Sequence, residues 1–237
     1  MALPVRQVME TKHKTKLILA SGSPRRAKIL QSLGVDFEIV KSDAPEVAYP
    51  GDPERTVSEN AVAKGAAARA SLVSRLASCD SRHATCDTPV ASAPSPSPSS
   101  SPLPSPTPSP LPSPTPSPSP LPILSADTIV WLDGRIYGKP RNLDEAREFL
   151  RGLSGRTHSV FTGVALNGDV RVVRSDVKFR ALSESDVEEY VKSVRPLDRA
   201  GAYDIDERGD LIVESYTGSY ENIMGLPVGP LKEWGIV

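Results

Sequence analysis

Residues 17–33 read LILASGSPRRAKILQSL and predict a strand, a tight turn and a helix in direct succession. The apolar run 17–20 is typical of a buried strand, and the apolar residues after Arg26 recur at helical spacing. Ser23 suits a helix N-cap, and Pro24 suits the first helical position, where no N–H is needed. A strand that leads directly into a helix is the first indication of an α/β fold.

The same stretch places two guanidinium groups, Arg25 and Arg26, at the predicted helix N-terminus. Small residues such as Ser21, free backbone N–H groups and fixed positive charge are together typical of a phosphate site. The residues alone leave open an ordinary strand–turn–helix with solvated arginines. The sequence contains neither a Walker loop nor a Gly-x-Gly-x-x-Gly motif, so the stretch is not a common nucleotide-binding loop.

The charge balance of the chain limits its possible partners. The 237 residues include 28 basic and 29 acidic side chains, which disfavours a general nucleic-acid or membrane-surface binder. No apolar run approaches the roughly 18 residues of a membrane span, and the N-terminus has no apolar signal core. We therefore expect a cytoplasmic protein with a loose leader at residues 1–15 and with no nucleic-acid or membrane partner.

Residues 78–122 form a low-complexity segment rich in Pro, Ser and Thr. Fifteen of the chain's 24 prolines lie within 89–122, mostly alternating with Ser, Thr or Leu, so that part can form neither helix nor sheet. We predict a disordered insertion in a surface loop of one domain at 16–237. Cys79, His83 and Cys86 offer three potential metal ligands, but a structural zinc normally takes four, so we predict reduced thiols there.

The remaining sequence alternates between strand and helix patterns and predicts an α/β domain with a mixed sheet. Asp133-Gly134 is a hairpin signal, and Asn142 and Ser183 are typical helix caps. The predicted strands are 35–40, 123–132, 135–137, 160–166, 170–179 and 211–215, and the predicted helices are 54–76, 142–153 and 183–194.

Asp127 lies in the middle of an apolar strand. A carboxylate there costs free energy unless it meets a metal, a cation or a proton. Lys139 lies at the far end of the hairpin that turns at Asp133-Gly134. Because a hairpin brings the ends of its arms together, we expect Asp127 and Lys139 to face one cleft. A structural pairing of Asp127 with a nearby lysine remains the alternative.

Five stretches resemble, in order, the signatures of the Maf-like nucleotide pyrophosphatases. The first is SGSPRR at 21–26, and the second combines ADT at 126–128 with GKP at 138–140. The others are SGRTHSVFTGVAL at 154–166, LDRAGAY at 197–203 and GSYENIMGLP at 218–227. The resemblance implies an elongated, two-lobed α/β domain with a mixed, twisted sheet and a central cleft, which the proline-rich insertion interrupts. It also makes a homodimer possible, and His158 in the third stretch is expected to be structural.

The resemblance further implies hydrolysis of a nucleoside triphosphate to the monophosphate and pyrophosphate, with Mg²⁺ or Mn²⁺ as cofactor. It assigns Asp127 as proton acceptor, although the sequence does not separate a base from a metal ligand. Oxygen ligands of this kind suit such ions, and a triphosphate needs fixed cations. Glu46 as a loop carboxylate and Lys64 as a solvated helix residue remain open. The implied catalytic residues are Asp127, Lys139, Arg25 and Lys64, the metal ligands are Glu46 and Asp127, and the substrate-binding residues include Ser21, Ser23, Arg25, Arg26 and Thr128.

The base preference is implied by the same resemblance. The pattern is most similar to the branch that acts on dTTP and UTP, which usually has Gln where this chain has Asp206. An amide both donates and accepts hydrogen bonds, whereas a carboxylate only accepts. We predict Asp206 as a substrate-binding residue, with Arg25 and Thr128 as further specificity candidates. The alternative function is a nucleotide-sensing regulatory protein linked to cell division, whose proline-rich loop recruits partners.

Overall fold

A computed structural model describes residues 16–80 and 121–237. Contacts divide the chain into two units, one of residues up to Leu72 together with Leu121–Val237, and one of Val73–Pro120. The second unit is described only as far as Asp80, as the C-terminal part of one helix. The predicted leader, most of the predicted insertion, His83 and Cys86 lie outside the described residues, as does the side chain of Cys79.

Strands and helices alternate along the first unit, as the sequence pattern predicts. A short 3₁₀ helix spans Ala200–Ala202. The strands are β1 Leu17–Leu19, β2 Phe37–Ile39, β3 Ile123–Leu132, β4 Arg135–Tyr137, β5 Thr157–Leu166, β6 Asp169–Phe179 and β7 Val213–Thr217. The helices are α1 Pro24–Ser32, α2 Pro53–Asp80, α3 Leu143–Leu153, α4 Glu184–Val194, α5 Gly209–Ile212, α6 Tyr220–Ile223 and α7 Val228–Glu233.

Within the described residues the seven strands form one mixed sheet in the order β2-β1-β3-β5-β6-β7, with β4 paired to β3. β1 runs parallel to β2 and β3, while β5, β6 and β7 continue antiparallel. The mixed α/β prediction is therefore confirmed. Among the described helices, none combines the length and apolar character needed to cross a bilayer.

The two faces of the sheet are covered by different helices because strand side chains alternate. Leu17 and Leu19 of β1 pack with α1 and α7, whereas Ile18 packs on the other face with Ala68 of α2. In β3 the even-numbered residues 124 and 126 face the α1 side, and residue 129 packs against Val57 of α2. The larger core lies further along the α1 face, between the sheet and helices α3 and α4.

This alternation sends two adjacent polar side chains in opposite directions. Asp127 faces α2, where it meets Lys64, and Thr128 faces α1, where it meets Arg26. Gly163 pairs with Asp127 in the ladder. A Cβ on Gly163 would lie 2.4 Å from the carbonyl oxygen of Val57. The missing side chain therefore lets α2 lie directly on the sheet beside Asp127.

The predicted helix caps are confirmed except at Ser23, and one predicted strand begins later than expected. Asn142 accepts from the Glu145 N–H, and Ser183 forms a capping box with Asp186. Ser23 occupies the N-cap position of α1, but its side chain makes no capping hydrogen bond. The strand predicted at 211–215 was wrong at its start, since Leu211 and Ile212 belong to the helical turn α5 and β7 begins at Val213.

Candidate active site

A cavity of about 400 Å³ opens beyond the carboxyl ends of β1 and β2, beside the middle of β3 and the segment that follows β4. The carboxyl ends of neighbouring parallel strands are a common place for ligand sites in α/β sheets. The cavity contains every residue predicted from the sequence to act in catalysis or metal binding, and all of the predicted substrate-binding residues except Asp206. These lining residues are Ser21, Ser23, Arg25, Arg26, Glu46, Lys64, Asp127, Thr128 and Lys139.

Glu46, Lys64 and Asp127 form what we call the acid–lysine cluster. Lys64 Nζ lies 2.6 Å from Glu46 Oε1 and 2.5 Å from Asp127 Oδ1, so one ammonium group joins both carboxylates. Asp127 is buried, with a side chain only 7% exposed, whereas Glu46 is 57% exposed at the cavity mouth. Lys64 is thus a half-buried cavity residue and not a solvated helix residue. Both acids face the cavity with their charge partly balanced.

Asn60 completes this cluster and was not singled out from the sequence. Its Nδ2 donates to Asp127 Oδ2 at 3.0 Å and to the Val47 carbonyl at 3.0 Å, while its Oδ1 accepts from the Val47 N–H at 2.8 Å. One amide therefore ties Asp127 to the loop that carries Glu46. Asn60 precedes Lys64 by four residues, a spacing that puts both on one helix face, so a polar pair on the buried face was the available signal.

Arg26 is buried and fixed in place by neutral oxygens. Its Nε donates to the Gly225 carbonyl at 2.7 Å, Nη1 to Ser21 Oγ at 2.9 Å and Nη2 to Thr128 Oγ1 at 3.0 Å. Burial lowers the pKa of Arg26 to about 10, a loss that nearby Asp127 partly offsets. The guanidinium remains charged at neutral pH and joins the first turn, β3 and the loop after α6 beneath the cavity.

Gly225 is required at that loop for two reasons. Its φ of +100° is a conformation that residues with side chains rarely adopt. A Cβ would also lie 3.2 Å from Thr128 Oγ1 and 3.5 Å from Arg26 Nε. The glycine in the fifth sequence stretch therefore lets its own backbone carbonyl reach the buried arginine.

Arg25, Asp204 and Arg199 form a second charged group, which we call the arginine–aspartate cluster. Asp204 Oδ2 accepts from Arg25 Nη1 at 3.2 Å and from Arg199 Nε at 3.0 Å. The side chain of Asp204 is 6% exposed, and that of Arg25 is 22% exposed. Asp204 lines the cavity, although the sequence analysis gave it no role.

Asp206 does not line the cavity in which the sequence analysis expected it. Its carboxylate accepts from Lys28 Nζ at 2.8 Å and from the Tyr220 hydroxyl at 3.2 Å, both at the exposed surface. The hydrogen bond from Lys28 is the main cause of the lowered pKa of Asp206. Only its backbone N–H points inward, to Asp204 Oδ1 at 2.9 Å. In this loop the carboxylate that lines the cavity is that of Asp204, two residues earlier.

Two further lysines face the cavity without a carboxylate partner in the described part of the chain. Lys139 follows the hairpin, so the prediction that it shares a cleft with Asp127 is confirmed. Lys41 follows β2 and lays its methylene groups 3.6 to 3.7 Å from where a Cβ of Gly22 would be. Its position directly after the strand predicted at 35–40 was the signal in the sequence. Both ammonium groups are available to an anionic ligand.

His158 is buried beside Tyr203, which precedes Asp204 in the chain, and it is not among the residues that line the cavity. Its Nε2 lies 2.9 Å from the hydroxyl of Tyr203, and its ring packs edge-on against Phe179. Burial lowers the pKa of His158 to about 4 and raises that of Tyr203 well above its ordinary value. Both groups are therefore neutral at pH 7, in agreement with the structural role expected for His158.

Five cations and five carboxylates line the cavity, so its formal charges cancel. The cations are Arg25, Arg26, Lys41, Lys64 and Lys139, and the carboxylates are Asp43, Glu46, Asp127, Asp198 and Asp204.

Within the described residues there is no group of three or more His, Cys, Asp or Glu side chains arranged to hold a metal ion. Two carboxylates, Glu46 and Asp127, do fit an ion such as Mg²⁺, which commonly takes one or two carboxylates and completes its shell with phosphate oxygens and water.

Comparison with known proteins identifies the family. Residues 16–234 match the family described as Maf-like protein. The chain is 37% identical over 221 residues to a dTTP/UTP pyrophosphatase of Dictyoglomus thermophilum, covering 91% of this chain and 92% of the relative. Similar proteins of the same description from Bacillus cereus and Chromobacterium violaceum are 36% and 34% identical, covering 91% and 90% of this chain and 92% and 90% of the relatives. The chain belongs to the Maf-like protein family.

Proposed function

We propose that this protein hydrolyses dTTP and UTP to the nucleoside monophosphate and pyrophosphate, with Mg²⁺ or Mn²⁺ bound by Glu46 and Asp127. The enzyme class follows from the family and from relatives described as pyrophosphatases, so the chain is a nucleoside triphosphate pyrophosphatase. The base preference, the metal and the residue roles are the proposed part. The cavity in which Asp127 and separate cations meet supports the metal and the residue roles, and the description of the relatives supports the base preference.

The cations of the cavity suit a triphosphate. A bound triphosphate carries about four negative charges, which must be balanced both in the ground state and as charge moves to the leaving group. Lys41 and Lys139 have no carboxylate partner in the described part of the chain, and Arg25 has one hydrogen bond to Asp204. Their free N–H groups would bind the phosphate oxygens. Arg26 acts differently, because it holds the surrounding backbone and Thr128 in place.

Asp127 would accept a proton from the attacking water. The water oxygen would form a bond to the α-phosphorus as the bond from that phosphorus to the bridging oxygen breaks, and pyrophosphate would leave with the bonding electron pair. Asn60 and Lys64 hold one oxygen of Asp127 each, which fixes the direction of the carboxylate. Positioned general bases of this kind typically contribute about 10²–10⁴-fold.

The balance of charges supports a divalent ion that arrives with the nucleotide. Five carboxylates offset the five cations of the cavity, so the protein alone supplies no net positive charge for a triphosphate. A bound Mg²⁺ or Mn²⁺ would polarise the phosphoryl oxygens and neutralise part of the developing charge. Glu46 is the more exposed of the two proposed ligands and lies at the mouth, where such a complex would enter.

A nucleotide panel tests the function directly. Purified protein with each common nucleoside triphosphate and Mg²⁺ or Mn²⁺ should release pyrophosphate, fastest from dTTP and UTP. Asp127→Asn should lower kcat by about 10²–10⁴-fold, because an amide cannot accept the proton. Asp133→Asn is the matched control, since Asp133 is exposed in the hairpin turn with a φ of 49°, which Asn tolerates.

Four results would contradict this proposal. Release of orthophosphate without pyrophosphate would exclude attack at the α-phosphorus. Full activity of Asp127→Asn would remove the proposed base. Equal rates with all nucleotides, or full activity in the presence of a chelator, would contradict the base preference or the metal requirement respectively.

A further inference from the structure

Asp204 is held from several sides at the cavity surface. Its backbone N–H donates to the buried Tyr190 hydroxyl at 2.9 Å, and its Oδ1 accepts from the Asp206 N–H at 2.9 Å. Burial raises the pKa of Tyr190, so this hydroxyl remains protonated. Oδ2 accepts from Arg199 Nε at 3.0 Å. These contacts within the protein therefore fix the carboxylate whether or not a ligand is bound.

Among the partners of Asp204 in the described part of the chain, Arg25 is the one with N–H donors available to a ligand. It donates a single hydrogen bond to Asp204, at 3.2 Å, and no other partner is present in the described part of the chain. A guanidinium has five N–H donors, so the rest remain available to the cavity. Arg199, in contrast, also pairs with Asp198 at 2.9 Å and Glu207 at 2.5 Å, and its charge stays balanced without Asp204.

We infer that Asp204 is a positioning residue that orients Arg25 toward the terminal phosphates of the substrate. This inference rests on the proposed pyrophosphatase function. Without Asp204, the partly exposed Arg25 side chain would regain rotamer freedom and extend toward solvent. Ordering a long side chain on binding weakens affinity, so we expect an increase of about three- to tenfold in the KM for the triphosphate and in the dissociation constant for pyrophosphate. Binding of the monophosphate product should change little, because the effect acts through the phosphates that leave.

A double-mutant cycle tests this assignment. Asp204→Ala, Arg25→Ala and the double variant are compared with wild type by UTP kinetics, with calorimetric binding of pyrophosphate and of UMP as readouts that do not need turnover. We expect Asp204→Ala to raise KM with little change in kcat, and to have no further effect once Arg25 is absent. Asp204→Asn, which keeps an acceptor oxygen, should restore part of the affinity. Asp210→Asn, an exposed substitution six residues along, is the control, and urea unfolding checks that each variant folds.

Each outcome decides the inference. Non-additive loss of pyrophosphate affinity with unchanged UMP affinity supports it. A lower KM in either Asp204 variant would mean that Asp204 competes with the phosphates for Arg25, and would overturn it. Additive effects, or equal loss of UMP affinity, would show a general structural role and would also overturn it. If wild type releases no pyrophosphate from any nucleotide, it is the proposed function that fails, whereas additivity in an active wild type refutes only the role of Asp204.

Discussion

The two charged clusters of the cavity are built in opposite ways. In the acid–lysine cluster one cation, Lys64, lies between the carboxylates of Glu46 and Asp127. In the arginine–aspartate cluster one carboxylate, Asp204, lies between two guanidinium groups. The first leaves a net negative charge at its centre, whereas in the second Arg199 is also balanced by Asp198 and Glu207, so that Asp204 remains as the carboxylate partner of Arg25. Under the proposed function, this difference would place the metal and the attacking water beside the acid–lysine cluster and the phosphates beside Arg25.

The clusters also differ in how their side chains are supported. Lys64 and Asn60 project from one face of α2 onto Asp127 of β3, so two regular elements position the first cluster. Asp204 follows the 3₁₀ turn and is fixed by loop backbone and by Tyr190. Because helices and strands hold side chains more precisely than loops do, we expect mutations in the first cluster to lower activity more than mutations in the second.

After Asp127→Asn, the largest expected effect is the loss of the cation in the acid–lysine cluster. Lys64→Met keeps the length of the side chain but leaves two carboxylates facing each other without a counter-charge. We expect kcat to fall by about 10²–10³-fold, the size seen when one stabilising group is removed from an active site. Steady-state kinetics on UTP measures it. Lys178→Met, which removes an exposed lysine paired with Glu214, should behave like wild type, and a loss of activity there would mean that surface charge and not the cluster is responsible.

The same contrast explains what could be predicted from the sequence. Asp127 and Lys139 were placed in one cleft because strand alternation and a hairpin determine geometry over short distances. Asp206 was expected in the cavity but its side chain pairs with Lys28 at the surface, because the loop after Ala202, whose φ is 57°, does not follow a fixed period. Resemblance of the stretch to a known pattern located the loop but not the direction of its side chains.

The second prediction concerns how the buried imidazole of His158 affects the free energy of unfolding at low pH. The pKa of His158 is about 4 in the folded protein and near 6.5 in an unfolded chain. Between these values the unfolded state binds a proton that the folded state does not, so stability is lost as the pH falls from about 6.5 to 4. The expected loss from this residue between pH 7 and pH 4.5 is about 2–2.5 kcal/mol. Urea unfolding at pH 7 and pH 4.5 measures it.

His158→Gln isolates this contribution from that of the carboxylates. Glutamine does not titrate, and its amide still offers a partner to the Tyr203 hydroxyl that His158 contacts at 2.9 Å. The difference in unfolding free energy between wild type and His158→Gln should therefore shrink as the pH is lowered. A difference that stays constant from pH 7 to pH 4.5 would refute a buried, neutral His158.

The third prediction disturbs the acid–lysine cluster without changing a polar group. In Gly163→Ala the added methyl would meet the Val57 carbonyl at 2.4 Å, which α2 relieves only by moving away from the sheet. We expect a loss of stability of about 1–3 kcal/mol together with a lower kcat, since α2 carries Asn60 and Lys64. Thermal unfolding and kinetics measure the two effects. Gly229→Ala in α7, where the new methyl meets nothing within 4 Å, should leave both unchanged.

Gly163 also marks a limit of the sequence analysis. The third stretch predicted a strand and a turn correctly, but the role of a strand glycine depends on what crosses it. That partner, Val57, precedes it by more than a hundred positions and lies on the other side of the proline-rich segment. No local pattern reports an approach between elements so far apart. Packing between a helix and a sheet therefore had to be observed, whereas the helix and the strand themselves were predictable.

The smallest expected effect is that of Asn60→Leu on kcat. Comparison with Thr56→Val shows whether the direction of the Asp127 carboxylate or the neighbouring loop limits turnover. Asn60→Leu removes the hydrogen bonds of Asn60 to both Asp127 and Val47, whereas Thr56→Val removes only those to the loop at Tyr49 and Asp52. Both sites are buried, so both variants should lose stability. Only Asn60→Leu should lower kcat, by about tenfold, which corresponds to about 1.4 kcal/mol in the barrier. If Thr56→Val lowered kcat as much, the loop and not the direction of Asp127 would limit turnover. If neither variant did, Lys64 alone would be sufficient to hold the carboxylate, and the two clusters would differ in charge but not in how firmly their side chains are positioned.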